Sequence, residues 1–512
     1  MSNRNESIGI YIHIPFCKSK CYYCDFNSYA GRDYLAGSYF DALYKEILIR
    51  SRSLENRRVS SIFIGGGTPS LTEPQYITGL IEICGKCFHV DNDAEISMES
   101  NPGTLSYDRL KAYRDAGVNR LSIGLQTWQD QLLESIGRIH SRKQFVDNVE
   151  DAVKCGFENI NADLIFGLPG QTLEDWTETL EAVTGLGAIK HLSCYSLKIE
   201  ERTVFGDRLD AGLLEPIDEE LDRRMYHLAV DVLADKGYRW YEISNFAVPG
   251  YECRHNLLYW KAREYVGFGA GAHSHLDAVR FSNVAGIEEY IEAVGSIFVR
   301  QGCEGTGNEF LMEENCSESN HDNAGAKASY SESNHDNVAA KASYSESNHD
   351  NVAAKASYSK SDHDYTGTRG SYSISDHNDT VAKASAKASA SVSGKVFAEE
   401  SATVSAKASV KPSVSDGMAG LYENIELIDR EGAMSEYMIL GLRLTEGVSS
   451  KEFEERFGEK PEDIYGDELK KLTARGLLTA EPGGKCRCDS DTRYKLTRLG
   501  FDLANAVFVE FI

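Results

Sequence analysis

From Ile8 to about Leu197 the chain alternates two kinds of patterning. Short apolar runs (IGIYIHI, SSIFI, AEISM, NRLSIGL, NINADLIF, HLSCYSL) have the length and continuity of buried strands. Between them apolar residues recur at helical spacing over Tyr34–Arg50, Pro74–Cys84, Tyr107–Ala116, Lys143–Cys155 and Leu173–Leu186, and Gly117 and Gly156 punctuate helix ends. Six strand–helix units in succession predict an α/β fold with a parallel sheet, open or curled into a partial barrel. In such sheets chemistry collects at the C-terminal ends of the strands. The first domain is expected over 1–200. A mixed α/β extension follows over 201–310, with a helix over Asp218–Lys236 and then the aromatic and glycine-rich YEISNFAVPGYECRHNLLYWKAREYVGFGAGAHSH.

The pattern then breaks. From Ser317 to Tyr358 a fourteen-residue unit, SESNHDNVAAKASY, runs through three nearly identical copies, and Ala/Ser/Lys-rich sequence continues to about Ser415. Such a composition cannot bury enough apolar surface to offset its ordering entropy, so 311–418 reads as a disordered insertion rather than a metal-binding array of NHD triplets. Order is expected again over 419–512. There SEYMILGLRLTEGVS, EFEERFGE, ELKKLTARGLLT and YKLTRLGFDLANAVFVEF read as helices followed by a small hairpin, a winged-helix-like module. Lys470, Lys471 and Arg475 on its Asp467–Arg475 helix are a solvated face, not a nucleic-acid recognition helix.

Charge and cysteine usage narrow the class. A formal charge of -25 over 512 residues argues against a nucleic-acid partner gripped through its phosphates. No apolar run is long enough to cross a bilayer, and MSNRNESIGI lacks the succession of a signal peptide, so a cytoplasmic location is expected. Twelve cysteines in such a chain point to one metal site plus inert thiols rather than a disulfide framework.

Cys17, Cys21 and Cys24 stand as C-x3-C-x2-C just after the first strand. Tetrahedral zinc sites take two close pairs, and no second pair is convincing. Cys84 and Cys87 lie on a predicted helix among apolar neighbours, and Cys486 and Cys488 fall on opposite faces of a strand. Three thiolates in one loop suit three irons of a [4Fe–4S] cluster, with the fourth iron open to an outside ligand. The strand SSIFI ends in GGGTPS, where glycines admit a ligand close to the backbone and leave N–H and C=O groups to bind it.

This motif at the head of a six-unit α/β chain resembles the radical S-adenosylmethionine (SAM) superfamily. The resemblance implies that the open iron chelates the amine and carboxylate of SAM, and that one electron cleaves the sulfonium C–S bond to give a 5′-deoxyadenosyl radical. It implies further that Gly66, Gly67 and Thr68 contact the SAM amine. Glu99 binds SAM, Gln126 addresses its ribose or amino-acid part, Arg138 pairs with its carboxylate, and Asp163 binds the ribose. Tyr23 and Tyr11 flank the cluster loop, where they either shield the cofactor or pack as core.

IHIPFC, CYYCDF, GGGTPS, ESNPG, IGLQ, DLIFGLPGQT and the module around ILGLRL resemble the oxygen-independent coproporphyrinogen III oxidase group. The oxidases carry one more cysteine two residues past the third, where this chain has Phe26, and a longer N-terminal arm. RHNLLYW matches the H-N-x-x-Y-W motif of the HemW-type heme chaperones in that group. The resemblance then implies heme as a further cofactor, client haemoproteins as partners, a low-potential flavodoxin- or ferredoxin-type electron donor, and peripheral membrane association through clients. His255 is the candidate heme anchor, with Cys253, His273 and His275 as alternatives. Oxidative decarboxylation of coproporphyrinogen III is the competing function, and radical SAM modification of tRNA is disfavoured by the charge. Deleting 317–418 is expected to leave cluster and SAM binding intact; loss of the cluster absorbance in the deletion variant would contradict this.

Overall fold

The computed structural model describes residues 6–54, 57–301, 418, 420–482 and 491–512. Its largest element is a twelve-stranded sheet: β1 (Ile8–Ile14), β2 (Arg58–Gly66), β3 (His89–Ser100), β4 (Arg120–Gln126), β5 (Asn159–Phe166), β6 (Ile189–Ser196), β7 (Arg239–Trp240), β8 (Asn245–Ala247), β9 (Tyr265–Phe268), β10 (His273–Leu276), β11 (Val279–Asn283) and β12 (Tyr422–Leu427). The spatial order is β12-β11-β10-β9-β1-β2-β3-β4-β5-β6-β8-β7. Strands β1 to β6 pair in parallel, as the alternating pattern predicts. A seventh parallel strand, β9, pairs with the free side of β1, Gly9 opposite Tyr265. Four residues with a glycine among them are too short and too weakly patterned to announce it. Antiparallel strands extend both edges, and the sheet is open, ending at β12 and β7.

The helices expected from the pattern are present as α1 (Ala36–Ser51), α2 (Pro74–Cys87), α3 (Tyr107–Asp115), α5 (Arg142–Lys154), α6 (Leu173–Gly185) and α8 (Glu219–Asp235), and the structure adds α4 (Asp130–Ser135), α7 (Val204–Asp210), α9 (Arg254–Trp260) and α10 (Ile287–Arg300). Local chemistry starts them. Ser141 with Gln144, and Thr172 with Asp175, form reciprocal capping boxes that satisfy orphan N–H groups of α5 and α6. The strands use both faces. Ile8, Ile10, Ile12 and Ile14 of β1 are fully buried in the core shared with the helices, while the alternate residues turn to an inner face lined by polar side chains. On that face Ser122 donates to Asp163 at 2.9 Å, Asn161 donates to Ser122 at 2.6 Å, and His191 lies 2.6 Å from Asn161.

The described residues belong to one compact unit, with a smaller second core in the C-terminal module. This module contains α11 (Arg430–Gly441), α12 (Ser450–Phe457), α13 (Pro461–Ile464), α14 (Gly466–Ala474), α15 (Arg498–Asp502) and α16 (Ala504–Phe508). Its three-stranded sheet runs β13 (Val448–Ser449), β15 (Thr492–Leu496), β14 (Leu478–Pro482). The hairpin does not close the chain as the sequence suggested. Thr497 caps a helical turn by accepting from the N–H of Gly500 at 2.9 Å, and two short helices follow. Residues 422–427, read as the entry to this module, are strand β12 of the large sheet. The repeats and the Cys486/Cys488 pair lie outside the described residues. Among the described residues no helix is long and apolar enough to cross a membrane.

One buried charge pair joins α1 to the sheet edge formed by β9, β11 and β12. Arg50 donates to Glu46 at 2.8 Å on α1, both nearly inaccessible. Glu46 also accepts from the N–H of Gly269 at 2.9 Å, from Asn283 at 2.9 Å and from the Tyr290 hydroxyl at 2.7 Å. The Arg50 guanidinium donates to the Gly267 carbonyl at 2.6 Å and lies 5.4 Å from the Tyr422 ring centre. Removing one member strands the other charge, so Glu46→Ala is expected to cost about 3 kcal/mol in urea unfolding; a loss within error of zero would refute the role.

Candidate functional site

The cluster loop leaves β1 at Ile14 and is pinned at its base by a two-stranded parallel ribbon, Phe16–Cys17 against Tyr29–Ala30. The N–H of Tyr22 donates to Ile136 O at 3.1 Å, and the N–H of Cys24 to Cys21 O at 3.2 Å. The three thiols are free and half-buried. Burial pushes the Cys24 thiol up to about 11 and raises that of Cys17, which the hydrogen bond with Thr68 opposes. Among the described residues no three His, Cys, Asp or Glu side chains gather round a point as one metal ion requires. Three thiols on one loop are the donor type that iron–sulfur clusters take.

Beside it, Gly66 has φ +111°, a conformation that strains other residues. A Cβ on Gly67 would meet Phe16 O at 2.7 Å and Ile14 O at 2.9 Å. The sequence suggested that this loop offers both N–H and C=O groups, but its N–H groups are taken. Gly66 donates to Glu99 at 2.9 Å, Gly67 to Ile14 O at 2.8 Å and Thr68 to Phe16 O at 2.8 Å. A ligand at the loop would find acceptors, which suits an ammonium group.

Arg138 donates to Cys21 Sγ at 3.4 Å, to Asn101 Oδ1 at 2.5 Å and to the Gly124 carbonyl at 2.5 Å. Asn101 in turn donates to Thr68 Oγ1 at 2.8 Å, and Thr68 lies 3.5 Å from Cys17 Sγ. A chain of polar contacts thus runs from Cys17 through Thr68, Asn101 and Arg138 to Cys21. Gly124 is its floor: a Cβ there would meet Arg138, Asn101 and Gln126 atoms, each at 2.9 Å. Gln126 ends β4 with φ +78°, beside a shift of register against β5. Asn101 escaped the sequence reading; its position two residues after Glu99, in ESNPG, is the only local signal.

Asp163 differs from expectation in depth, whereas Glu99 stands one residue from the end of β3. Glu99 is held at the inner face, where burial and then the nearby Asp163 push its pKa up to about 7. Asp163 lies inside β5 rather than at its end, opposite Gly124 and Ser193, and both its oxygens accept bonds, from Ser122 at 2.9 Å and Asn161 at 2.8 Å. Tyr23 packs with Ile136, Ile165, Leu168 and Phe205. Tyr11 lies 3.0 Å from His13 Nδ1 and stacks on Phe63 at 6.2 Å, while His13 donates from Nε2 to Asn27 O at 2.7 Å.

His255 sits apart from the thiols, 1% exposed on α9. Its Nδ1 is 2.8 Å from Ser61 Oγ and its Nε2 2.9 Å from the Tyr259 hydroxyl, with the ring stacked on Phe63 at 5.2 Å. Burial lowers its pKa to about 4, so the ring is neutral. Neither nitrogen is open to an outside ligand in this arrangement. Glu95 caps α9 by accepting from the N–H groups of Arg254 at 2.9 Å and His255 at 3.2 Å, and it also receives the buried Cys253 thiol at 3.4 Å. His273 is half-buried and His275 buried on β10, across from Arg280 and Ser282 of β11.

Residues 11–183 match the radical SAM superfamily, and 428–503 the HemN C-terminal domain. The chain is 41% identical over 285 residues to the heme chaperone HemW of Bacillus subtilis, covering 56% of this chain and 75% of that protein. This chain belongs to the HemW family. It is also 40% identical over 283 residues to the heme chaperone HemW of Lactococcus lactis, covering 55% and 73%. In fold the HemW-family chain is similar to coproporphyrinogen III oxidase (HemN) from Escherichia coli, with a TM-score of 0.64 at 19% identity over 99% of this chain and 90% of that one. Radical SAM membership implies a [4Fe–4S] cluster and SAM. Asn101→Ala frees one bond to the Arg138 guanidinium and one to Thr68, and is expected to weaken SAM binding to the reconstituted protein about tenfold. Anaerobic equilibrium dialysis checks this, and unchanged binding would remove Asn101 from the site.

Proposed function

We propose that the protein is a heme chaperone that carries a SAM-ligated [4Fe–4S] cluster, binds heme and delivers it to respiratory haemoproteins. The observation that carries this reading is the identity of 41% with the Bacillus subtilis heme chaperone HemW across 75% of that protein. Phe26 supports it, being 49% exposed on the cluster loop at the position where the oxidases have a further cysteine.

In this reading Cys17, Cys21 and Cys24 hold three irons, and SAM takes the fourth. Bound there, the cluster and SAM supply one-electron cleavage of the sulfonium bond. The chain's own residues bind and orient. The carbonyls around Gly66 and Gly67 accept from the SAM ammonium, and Thr68 braces the loop. Glu99 balances positive charge, and Arg138, held by its bonds to Asn101 and the Gly124 carbonyl, pairs with the SAM carboxylate. Gln126 and Asp163 address the ribose, while Tyr11 and Tyr23 wall the pocket. A low-potential flavodoxin- or ferredoxin-type protein supplies the electron, and clients provide any peripheral contact with a membrane.

His255 is the proposed heme anchor, and coordination there requires its bond to Ser61 or Tyr259 to open. Heme titration followed by the Soret band is expected to show at least about tenfold weaker binding in His255→Ala. Equal binding would assign His255 to packing alone. Under anaerobic reducing conditions, the reconstituted protein is expected to yield no protoporphyrinogen from coproporphyrinogen III; formation of that product would replace the chaperone reading with the oxidase one.

A further inference from the structure

Unsatisfied buried polar atoms collect at the seam between the large sheet and the C-terminal module. Glu242 and Leu444 form an antiparallel bridge, the N–H of Thr445 donates to Tyr241 O at 3.0 Å, and the Thr445 hydroxyl donates to Trp240 O at 3.0 Å. Around this seam Arg443 Nε, Trp260 Nε1, Trp240 Nε1, Glu242 Oε2 and Asn245 Oδ1 are buried without a hydrogen-bond partner among the described residues. They are five of the eleven such side-chain atoms. Since folded proteins satisfy nearly all buried polar groups, that concentration points to a missing partner at this seam.

Arg443 is the centre of the anomaly. It is 3% exposed, and its guanidinium lies 4.5 Å from the Trp260 ring centre. Glu242 acts on it electrostatically, but no ion pair joins them among the described residues. Burial lowers the Arg443 pKa, the direction of a cation lacking adequate compensation. Stacking on an indole uses the face of a guanidinium and leaves its in-plane N–H groups for a planar anion. Donors also outnumber acceptors: an arginine and two indole N–H groups stand against one oxygen each of Glu242 and Asn245. The missing partner is therefore rich in acceptors, and a carboxylate matches the fork of the guanidinium.

We propose that Arg443, with the indole N–H of Trp260, forms a carboxylate-binding site at this seam that holds a propionate of heme. This rests on the heme-chaperone reading. Trp260 is the last residue of α9, the helix that carries His255, so a propionate held there would be tied to the helix of the proposed heme anchor.

The test uses the full-length reconstituted protein, titrated with heme and with heme dimethyl ester, which lacks the carboxylates. The wild type is expected to bind the ester about tenfold more weakly than heme. Arg443→Gln should bring heme down to the level of the ester and leave the ester unchanged. Trp260→Phe, which keeps the ring and removes the N–H, should weaken heme selectively as well. Equal wild-type affinity for heme and ester, or equal losses of both in Arg443→Gln, overturns the propionate site and leaves the chaperone reading standing. If acetate raises the melting temperature of the wild type but not of Arg443→Gln, while heme and ester bind equally, the site takes a free carboxylate and the propionate assignment fails. Absence of binding of both macrocycles overturns the chaperone reading and this proposal with it.

Discussion

The pairing of β1 with β2 does not stop where the strands do. Gly67 and Thr68 go on donating to Ile14 O and Phe16 O, so the glycine loop is stitched to the backbone that leads into Cys17. That stitching needs glycine at 66 and 67, because a Cβ would strain the first and strike the carbonyls of Ile14 and Phe16 at the second. It uses up the N–H donors of Gly66, Gly67 and Thr68. It also brings Thr68 within reach of both Cys17 and Asn101, and from Asn101 the polar chain runs through Arg138 to Cys21. The position of two thiols thus depends on a backbone ladder that continues beyond its sheet.

Deeper on the same face, the polar lining does a second job. Ser61 and Glu95 of neighbouring strands hold α9, one at the ring of His255 and the other at the helix N-terminus. The far end of that helix is held by the module, since Arg456 donates to Ala262 O at 2.7 Å and to Lys261 O at 3.2 Å. A helix capped at both ends by different parts of the molecule is placed to feel both. His255, Phe63 and Tyr11 form a run of ring contacts from that helix toward His13, which is bonded to the cluster loop at Asn27. α9 and the cluster loop are therefore linked through a chain of ring contacts, though His255 and His13 are far apart in the sequence.

The strand that follows the repeats belongs to the same design. β12 pairs with β11, and Tyr422 closes over the Arg50–Glu46 pair. The chain thus returns from the long insertion directly into the main sheet before building its own smaller core, and the buried charges bind that return to α1.

Much was legible in the chain itself. Apolar runs and helical spacing located β1 to β6 and the helices between them, α4 excepted, within a few residues, because those patterns depend on near neighbours and on which face is buried. Three cysteines in one loop and a glycine-rich turn marked the site, because metal ligation and close backbone approach demand those residue types. Tertiary structure alone decided the rest. β9 is too short to show a period, and its place beside β1 is a matter of topology. His255 read as a free ligand until the fold brought Ser61, 194 residues away in sequence, to its ring. Asp163 looked like an end-of-strand residue until the register set it opposite Gly124, inside the sheet. The stranded Arg443 became visible only when Trp260 was stacked beneath it. The partner of a polar group is chosen by which strands and helices meet, and that choice is not written in the residues beside it.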